Sequence, residues 1–405
     1  MTGPVPSGKA WTWLWIYLVG HAVSTTGFWT HTTAFAWLVL TLSGDGRAIG
    51  AAIALQFLPA LLLGPAAGLL ADRLPKRRVL MAAQVAGAVC TGSLGWATAT
   101  GNASLPLAFC LAFVFGCVTA VENPARMSLV PELADEEKLP RSYSLNALAF
   151  NSARVIGPAL AGALIAASGE TTGCFAVAAG TRLFMAVALR AITLVEVSSG
   201  RADSQPGEIR AGVRYAWRTP AIRWPLVSMA VISVLAYQHQ VLLPLLAQRT
   251  FDGDAATLGM MTAAMGLGAI AGGLVGTRVL RTGRRAIAVR AVFMGLALAL
   301  CAAAPTLPLA VAALAVLGAM TTVLATTAMS TIQAASEPGM RGRVAALWFV
   351  VMLGSAPIGG PIMGVLAELA DPRWGFGLGA AAVLLVGVVG IATSRPGGNG
   401  RRNEK

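Results

Sequence analysis

The sequence predicts an all-α integral membrane protein of twelve transmembrane helices in two pseudo-symmetric six-helix bundles. Of its 405 residues, 56% are hydrophobic and only 12% are charged, whereas a soluble domain carries about 25% charged residues. The apolar residues form runs of the roughly 20 residues that cross a bilayer as a helix. Basic residues cluster between these runs, so topology explains the net charge of +13. The composition disfavours a soluble enzyme, a disordered chain and a nucleic-acid-binding protein.

The apolar runs fall into two groups of six. The first group is 13–40, 48–71, 79–99, 105–125, 142–167 and 173–194, and the second is 223–247, 256–280, 286–304, 307–334, 343–368 and 374–393. Between them lies the one long polar interruption. We therefore expect an N-terminal bundle over residues 1–195, a cytoplasmic linker over 196–222 and a C-terminal bundle over 223–405.

The distribution of Lys and Arg predicts the orientation. With a cytoplasmic N-terminus, 24 of the 30 basic residues fall in cytoplasmic segments. Three fall in external segments (Arg47, Arg249 and Arg373), and three lie within spans (Arg154, Arg182 and Arg190). This bias is the positive-inside rule. It predicts a multi-pass protein of the inner (plasma) membrane with both termini cytoplasmic.

A glycine near the end of the second span is followed by an acid and a basic turn. The stretch from Gly68 to Arg78 resembles the major facilitator superfamily signature G-x-x-x-D-R-x-G-R/K-R, with Pro75 in place of the second glycine. The resemblance implies a conformational latch, in which the Asp72 carboxylate pairs with an arginine in one state only. Setting topology is the simpler role of the basic residues. The latch residues are Gly68, Asp72, Arg73, Lys76, Arg77 and Arg126.

The fifth span carries a proline between glycines. Arg154, Gly157, Pro158 and Gly162 resemble the G-P-x-x-G-G element found in exporters of this superfamily that work as antiporters. The proline removes a helical hydrogen bond and bends the helix, and the glycines allow close packing. A merely kinked helix is the alternative. The stretch 354–364 in span eleven echoes this element, as expected for parallel repeats of a transporter.

Three further stretches, 122–126, 212–220 and 341–343, resemble the drug and siderophore exporter branch, which includes enterobactin and macrolide exporters. The branch often has an acid where Phe28 stands here. The resemblance implies that spans one, four, seven and ten line a central cavity. The candidate substrate-binding residues are Thr25, Trp29, His31, Thr32, Gln238, His239 and Thr326. Their hydroxyl, amide and aromatic groups suit a bulky amphipathic molecule.

Proton coupling needs a titratable group at membrane depth. The sequence places no acid near the middle of a span, so His31 and His239 are the candidates, because histidine exchanges protons near physiological pH. Hydrogen-bonded histidines in a polar cavity are the alternative. Arg154, beside the kink, is expected to have a structural or gating role, and attraction of an anionic substrate is the alternative. Arg182 would lie in a peripheral span with no acid at its depth.

The predicted function is secondary active transport, namely proton-coupled efflux of a bulky amphipathic small molecule by alternating access. An importer or an uncoupled facilitator of the same fold is the alternative, and a non-transporting receptor or scaffold is a further one. The sequence indicates no catalytic residues, no metal site and no cofactor. The expected partners are the substrate, protons and the lipid bilayer, not nucleic acid, and the protein is expected to be a monomer.

Overall fold

The computed structural model describes residues 7–133, 139–192, 208–276 and 282–394. All regular structure in these ranges is helical. The N-half comprises α1 (Ser7–Ser43), α2 (Gly46–Arg73), α3 (Lys76–Ala99), α4 (Leu105–Leu133), α5 (Leu139–Ser168) and α6 (Thr172–Ala191). A linker helix, α7 (Glu208–Arg218), follows. The C-half comprises α8 (Pro220–Ala236), α9 (His239–Leu245), α10 (Ala255–Gly276), α11 (Arg284–Ala303), α12 (Leu307–Ala335), α13 (Arg341–Leu369) and α14 (Arg373–Ala392).

Eleven segments of the described chain are long and apolar enough to cross a membrane. They correspond to eleven of the twelve predicted spans. Helix α1 has 37 residues, which is ample length, but its threonines and histidines lower its hydropathy. It is not among the eleven, so a count of twelve stays a prediction.

The two halves repeat one packing scheme. In the N-half, α2 packs on α4, α3 on α6, and α1 on α5 and α6. In the C-half, α10 packs on α12, α11 on α14, and α8 on α13 and α14. Large apolar side chains such as Leu62, Val187 and Leu385 lie at least 64% exposed on the outer faces, where lipid would cover them.

Glycine contacts join the halves at two crossings, α2 with α13 and α5 with α10. A Cβ added to Gly364 would lie 2.5 Å from the carbonyl oxygen of Gly46, and one added to Gly162 would lie 3.0 Å from the carbonyl oxygen of Ala255. Only glycine allows the backbones to approach so closely.

A hydrogen-bonded cluster joins the halves at the same end of the molecule. The Arg249 guanidinium donates to the carbonyl oxygen of Gly44 at 2.5 Å and pairs with Glu368 at 2.8 Å. The Glu368 carboxylate also accepts a 2.9 Å hydrogen bond from the Gly46 amide. We call the region formed by this cluster and the glycine crossings the closed end.

The seventh predicted span, 223–247, is not one continuous helix. Helix α8 ends at Ala236, and α9 begins at His239. The Gln238 side-chain amide donates to the Ser233 carbonyl at 2.9 Å, so a side chain satisfies an oxygen at the end of the helix. Irregular backbone is tolerated at membrane depth where protein or a cavity surrounds it.

The predicted polar linker contains a helix that rests on the C-half. The Tyr215 hydroxyl of α7 accepts a 3.1 Å hydrogen bond from the Glu337 amide. A Cβ on Gly212 would lie 3.2 Å from the Cβ of Arg343. Two of the stretches that resemble the exporter branch, 212–220 and 341–343, are therefore neighbours in space.

Candidate binding cavity and a buried charge cluster

A cavity of about 460 Å³ lies between the two halves. Helices α1, α2 and α5 line it from the N-half, and α9, α10, α12, α13 and the Tyr237–Gln238 break line it from the C-half. Helix α4, the fourth predicted span, contributes none of its described residues. The expectation that span four lines the cavity is not met, and α2, α5, α10 and α13 take part instead because the halves meet along them.

The cavity wall is mainly apolar with a few polar groups, which is the usual composition of a small-molecule site. Aromatic, methionine and leucine side chains supply the apolar area, including Phe57, Phe150, Met265, Met352 and Leu258. Sequence reasoning missed these residues, together with Thr262. The sequence carries little information about them. An apolar side chain on a membrane helix can face lipid, protein or a cavity, and the same residue types occur in all three places.

Five of the seven predicted binding residues line the cavity, namely Trp29, Thr32, Gln238, His239 and Thr326. The other two do not. Thr25 is buried and hydrogen-bonded to His21 Nδ1 at 3.3 Å. His31 stacks on Phe115 with ring centroids 4.5 Å apart, inside the N-half.

The two histidines expected to carry protons therefore differ in their surroundings. His239 lines the cavity, and neither of its ring nitrogens has a hydrogen-bond partner. His31 lies among Phe35, Phe115 and Phe175, with its Nδ1 unpartnered. The break at residues 237–238 directs His239 into the cavity, whereas the unbroken α1 directs His31 into the bundle.

A buried acid overturns the expectation that Arg182 has no carboxylate at its depth. The Arg182 side chain, 3% exposed, donates to Glu122 Oε2 at 3.1 Å. Arg126 donates to the other carboxylate oxygen, Oε1. The predicted span 105–125 placed Glu122 at a helix end, but α4 continues to Leu133, so this acid lies inside the helix.

Uncharged groups complete this cluster. Gln84 Nε2 donates to Glu122 Oε1 at 3.0 Å, and Ser24 donates to Gln84 Oε1 at 3.1 Å. Gly87 leaves room for the guanidinium, since a Cβ there would lie 2.5 Å from an Arg182 nitrogen. The cluster joins α1, α3, α4 and α6. An arginine in the middle of a span was the signal for it, because such a cation requires a partner.

The kink motif of α5 contacts both halves. Pro158 lies inside the helix, and the Gly157 carbonyl accepts a 3.1 Å hydrogen bond from Thr30 of α1. Gly162 faces Gly259 of α10 across the crossing. Arg154 extends into the cavity, with its guanidinium carbon 5.2 Å from the centre of the Trp29 ring.

The repeat in span eleven makes corresponding contacts. Gly359 packs on Val234 of α8 and on Gln238 of the break that follows it, as Gly157 packs on Trp29 and Thr26 of α1. Gly364 packs on Gly46 at the closed end, as Gly162 packs on Ala255. The sequence echo is therefore a structural repeat.

The latch motif is described only in part. For Gly68, Asp72 and Arg73 the structure describes only the helical backbone of α2. Arg77 donates to the carbonyl oxygens of Leu189 at 2.8 Å and Arg190 at 3.1 Å. These carbonyls end α6, where a cation is favourable. Arg126, expected to meet Asp72, bonds Glu122.

The comparisons with known proteins identify the family. A family model described as transmembrane secretion effector, MFS_3, matches residues 4–402. The chain belongs to this family of the major facilitator superfamily. A curated enterobactin exporter, EntS, of Shigella boydii serotype 4 is 25% identical over 372 residues, covering 89% of this chain and 83% of the relative. The EntS of Escherichia coli O139:H28 is also 25% identical, with the same coverage.

Solved structures share the fold. A bacterial homologue of the iron transporter ferroportin, in an inward-facing state, superposes with a TM-score of 0.75 at 17% identity, covering 94% of this chain and 98% of that chain. The nucleoside transporter NupG also gives 0.75, at 14% identity, with the same coverage. The predicted all-α membrane fold of the major facilitator type is confirmed, and the count of twelve spans stays a prediction. The family member described here is a multi-pass membrane transporter of a small molecule and not an enzyme.

Proposed function

We propose that this transporter exports a bulky amphipathic small molecule across the inner membrane by alternating access, coupled to proton entry. The observation that carries the proposal is the cavity between the halves, bounded by aromatic, methionine and hydroxyl side chains. Such a wall accepts a molecule with an apolar body and a few polar groups. The exporter name of the EntS relatives supports the direction.

The closed end supports a single-sided opening. In the proposed topology, with both termini cytoplasmic, residues 44–50, 249–259 and 360–368 lie toward the outside. The contacts that these residues make with one another and with Gly162 (the Arg249–Glu368 pair and the two glycine crossings) would seal the cavity from that side. The bundles 1–195 and 223–405 would then rock about the cavity, with 196–222 as their tether and the Asp72 latch acting at the cytoplasmic side.

Proton coupling is proposed to use His31 and His239. His239 lines the cavity and neither of its ring nitrogens has a hydrogen-bond partner, so water that enters the cavity can exchange protons with this ring. His239 also shares the cavity with the substrate, which allows the proton and the substrate to compete. Such competition is the simplest scheme for antiport.

Proteoliposomes with an imposed pH gradient of either sign test this function. The probe is phenylnaphthylamine, an uncharged aromatic amine whose fluorescence reports its movement. We expect transport opposite to the proton gradient, loss of this dependence in His239→Gln, and retained probe binding. Gln keeps hydrogen bonding but does not titrate. His21→Gln, a buried histidine outside the cavity, is the control.

Each alternative gives a different result. An importer would move the probe in the direction of the protons, and a facilitator would ignore the gradient. Uphill transport by the double variant His31→Gln/His239→Gln would show that the histidines do not carry the coupling protons. No movement of any probe beyond that of empty vesicles would contradict transport of this class of molecule.

A further inference from the structure

The central cavity contains a cation with no protein counter-charge. Arg154 is the one permanently charged side chain among the described lining residues, and none of those residues is Asp or Glu. In the described chain, no ion pair or hydrogen bond of the Arg154 guanidinium is found, and the guanidinium carbon lies 5.2 Å from the centre of the Trp29 ring. An arginine at membrane depth is costly unless it meets an anion or water.

The buried or partly buried carboxylates of the described chain are engaged elsewhere. Glu122 holds Arg126 and Arg182 inside the N-half. Glu368 holds Arg249 at the closed end. Among the described residues that line the cavity, Arg154 is therefore a cation without a protein counter-charge. A cation–π contact steadies its side chain but supplies no negative charge.

Four hydroxyl groups of the cavity wall use their hydrogens within the protein, so they are not the groups that would bind an acidic ligand group. The hydroxyls of Thr262, Thr321 and Thr322 donate to backbone carbonyls of their own helices at 2.8, 2.7 and 3.2 Å. The Tyr237 hydroxyl donates to the Thr321 carbonyl at 3.3 Å. Because each hydroxyl has a single hydrogen, these groups can only accept from a ligand.

Other side chains of the cavity wall have N–H donors without a hydrogen-bond partner. Trp29 Nε1 is buried without a hydrogen-bond partner, and so are both ring nitrogens of His239, one of which bears a hydrogen in the neutral ring. The Arg154 guanidinium adds up to five N–H groups in a planar fork that matches a carboxylate, sulfonate or phosphate. Unpaired donors beside a cation suit an anion and repel an ammonium.

The position of Arg154 also brings it between the two halves. A Cβ on Gly266 of α10 would lie 2.9 Å from the Arg154 carbonyl oxygen, so α5 and α10 touch at this residue. Arg154 and Trp29 approach the cavity from the N-half, and His239 approaches it from the C-half. An anion bound here would contact both halves, whose relative movement is the transport step.

We propose that Arg154 is the anion-binding group of this cavity and that the transported molecule is an amphipathic organic anion. Phe57, Phe150 and Met265 pack against its apolar body, while its acidic group meets Arg154 and Trp29 Nε1. The inference rests on the proposed transport function, because it names the class of molecule that this site carries.

Two matched probes test the charge preference. Anilinonaphthalene sulfonate and its uncharged parent phenylnaphthylamine differ by one sulfonate, and both fluoresce in apolar sites. Binding is titrated with the purified full chain in phosphatidylcholine nanodiscs, which contain no anionic lipid, and the signal of empty nanodiscs is subtracted. We expect the sulfonate to bind more tightly to the wild type. Equal affinity, or tighter binding of the uncharged probe, would overturn the proposal.

Variants assign the preference to Arg154. Arg154→Gln should weaken sulfonate binding about tenfold or more, as expected for a charge-assisted hydrogen bond, and leave phenylnaphthylamine binding unchanged. Arg154→Lys should retain part of the preference. Arg285→Gln removes an exposed cation outside the cavity and should change neither affinity. An unchanged sulfonate preference in Arg154→Gln sinks the assignment.

Transport measurements distinguish a failure of the anion site from a failure of the proposed transport function. If both probes are exported at equal rates by the wild type and by Arg154→Gln, transport stands and the anion site fails. If binding shows the Arg154-dependent preference but neither probe moves in proteoliposomes, the anion site stands and the transport proposal fails. If Arg154→Gln does not fold, the proposal is tested by the preference of Arg154→Lys and of the wild type for the sulfonate probe over the uncharged probe.

Discussion

In the N-half, Glu122 of α4 holds Arg126, Arg182 and Gln84 inside the bundle. The matching helices of the C-half, α8, α11, α12 and α14, contain no acidic residue. Their core is apolar, with Ile232, Leu298, Leu317 and Phe376 at most 1% exposed.

The glycine contacts, by contrast, are alike in the two halves. Gly157 and Gly162 in α5 correspond to Gly359 and Gly364 in α13. In each pair, the first glycine packs on the first span of its own half, and the second packs on a helix of the other half. The comparison teaches that this fold requires small residues where helices cross. The interior of a half can be filled with either a charge cluster or apolar side chains. Three experiments test this comparison of the two halves.

The largest effect is expected from breaking the charge cluster. Glu122→Leu would leave the buried Arg182 without its carboxylate, which costs about 3–5 kcal/mol for a buried ion pair. Thermal melting of the purified protein in detergent measures the loss. The double variant Glu122→Leu/Arg182→Met, which makes the N-half resemble the C-half, should recover most of it. A single variant as stable as the wild type would show that the pair does not hold the half together.

A smaller effect is expected at the glycine crossings. Gly364→Ala places a Cβ 2.5 Å from a backbone oxygen, and Gly162→Ala places one 3.0 Å from another. Backbone cannot move aside cheaply, so overpacking should cost about 1–3 kcal/mol, and Gly364→Ala should cost more. Spin labels on the exposed Arg47 and Asp371, attached through cysteines in a Cys-free background, should report a wider closed end.

Gly173→Ala is the control for these variants, since nothing lies within 4 Å of its Cβ position. The equivalence of the two crossings predicts that both alanine variants widen the same end. A widening caused by only one of them would show that the crossings are not mechanically equivalent.

The smallest effect concerns two aspartates that begin equivalent helices. Asp254 Oδ1 accepts from the Thr257 amide at 3.0 Å at the start of α10, and Asp45 Oδ1 accepts from the Arg47 amide at 2.7 Å at the start of α2. Asp254→Ala should lower stability by about 1 kcal/mol, as for other N-caps, and Asp254→Asn by less. Melting temperatures measure both, and Asp45→Ala should give a loss of similar size.

The contribution of Asp254 should depend on pH in a definite direction. The hydrogen bond from the Thr257 amide lowers the pKa of this carboxyl below its usual value. Stabilisation by the ionised form is therefore present above the ordinary aspartate pKa and is lost as the pH falls through the lowered one. The melting difference between wild type and Asp254→Ala should shrink in acid, and a difference that grows would contradict the cap.

The sequence by itself determined the membrane class, the fold and the family. Apolar runs of bilayer length, basic loops and the motifs at 68–78 and 154–162 are local properties, and membrane insertion acts on local properties. The repeat between α5 and α13 was also visible, because close helix crossings require glycine at defined positions. Trp29, Thr32, Gln238, His239 and Thr326 reached the cavity as expected, since they are polar residues on helices that face it.

Only the tertiary structure decided how single side chains are used. His31 and His239 occupy equivalent helices, yet the break at Tyr237–Gln238 exposes one to the cavity, and the unbroken α1 buries the other against Phe115. Glu122 and Arg182 are 60 residues apart, and no local pattern predicts that pairing. Contacts between distant helices decide whether a charged group at membrane depth has a partner within the protein. Arg182 pairs with Glu122, whereas Arg154 has no acidic partner among the described residues of the cavity.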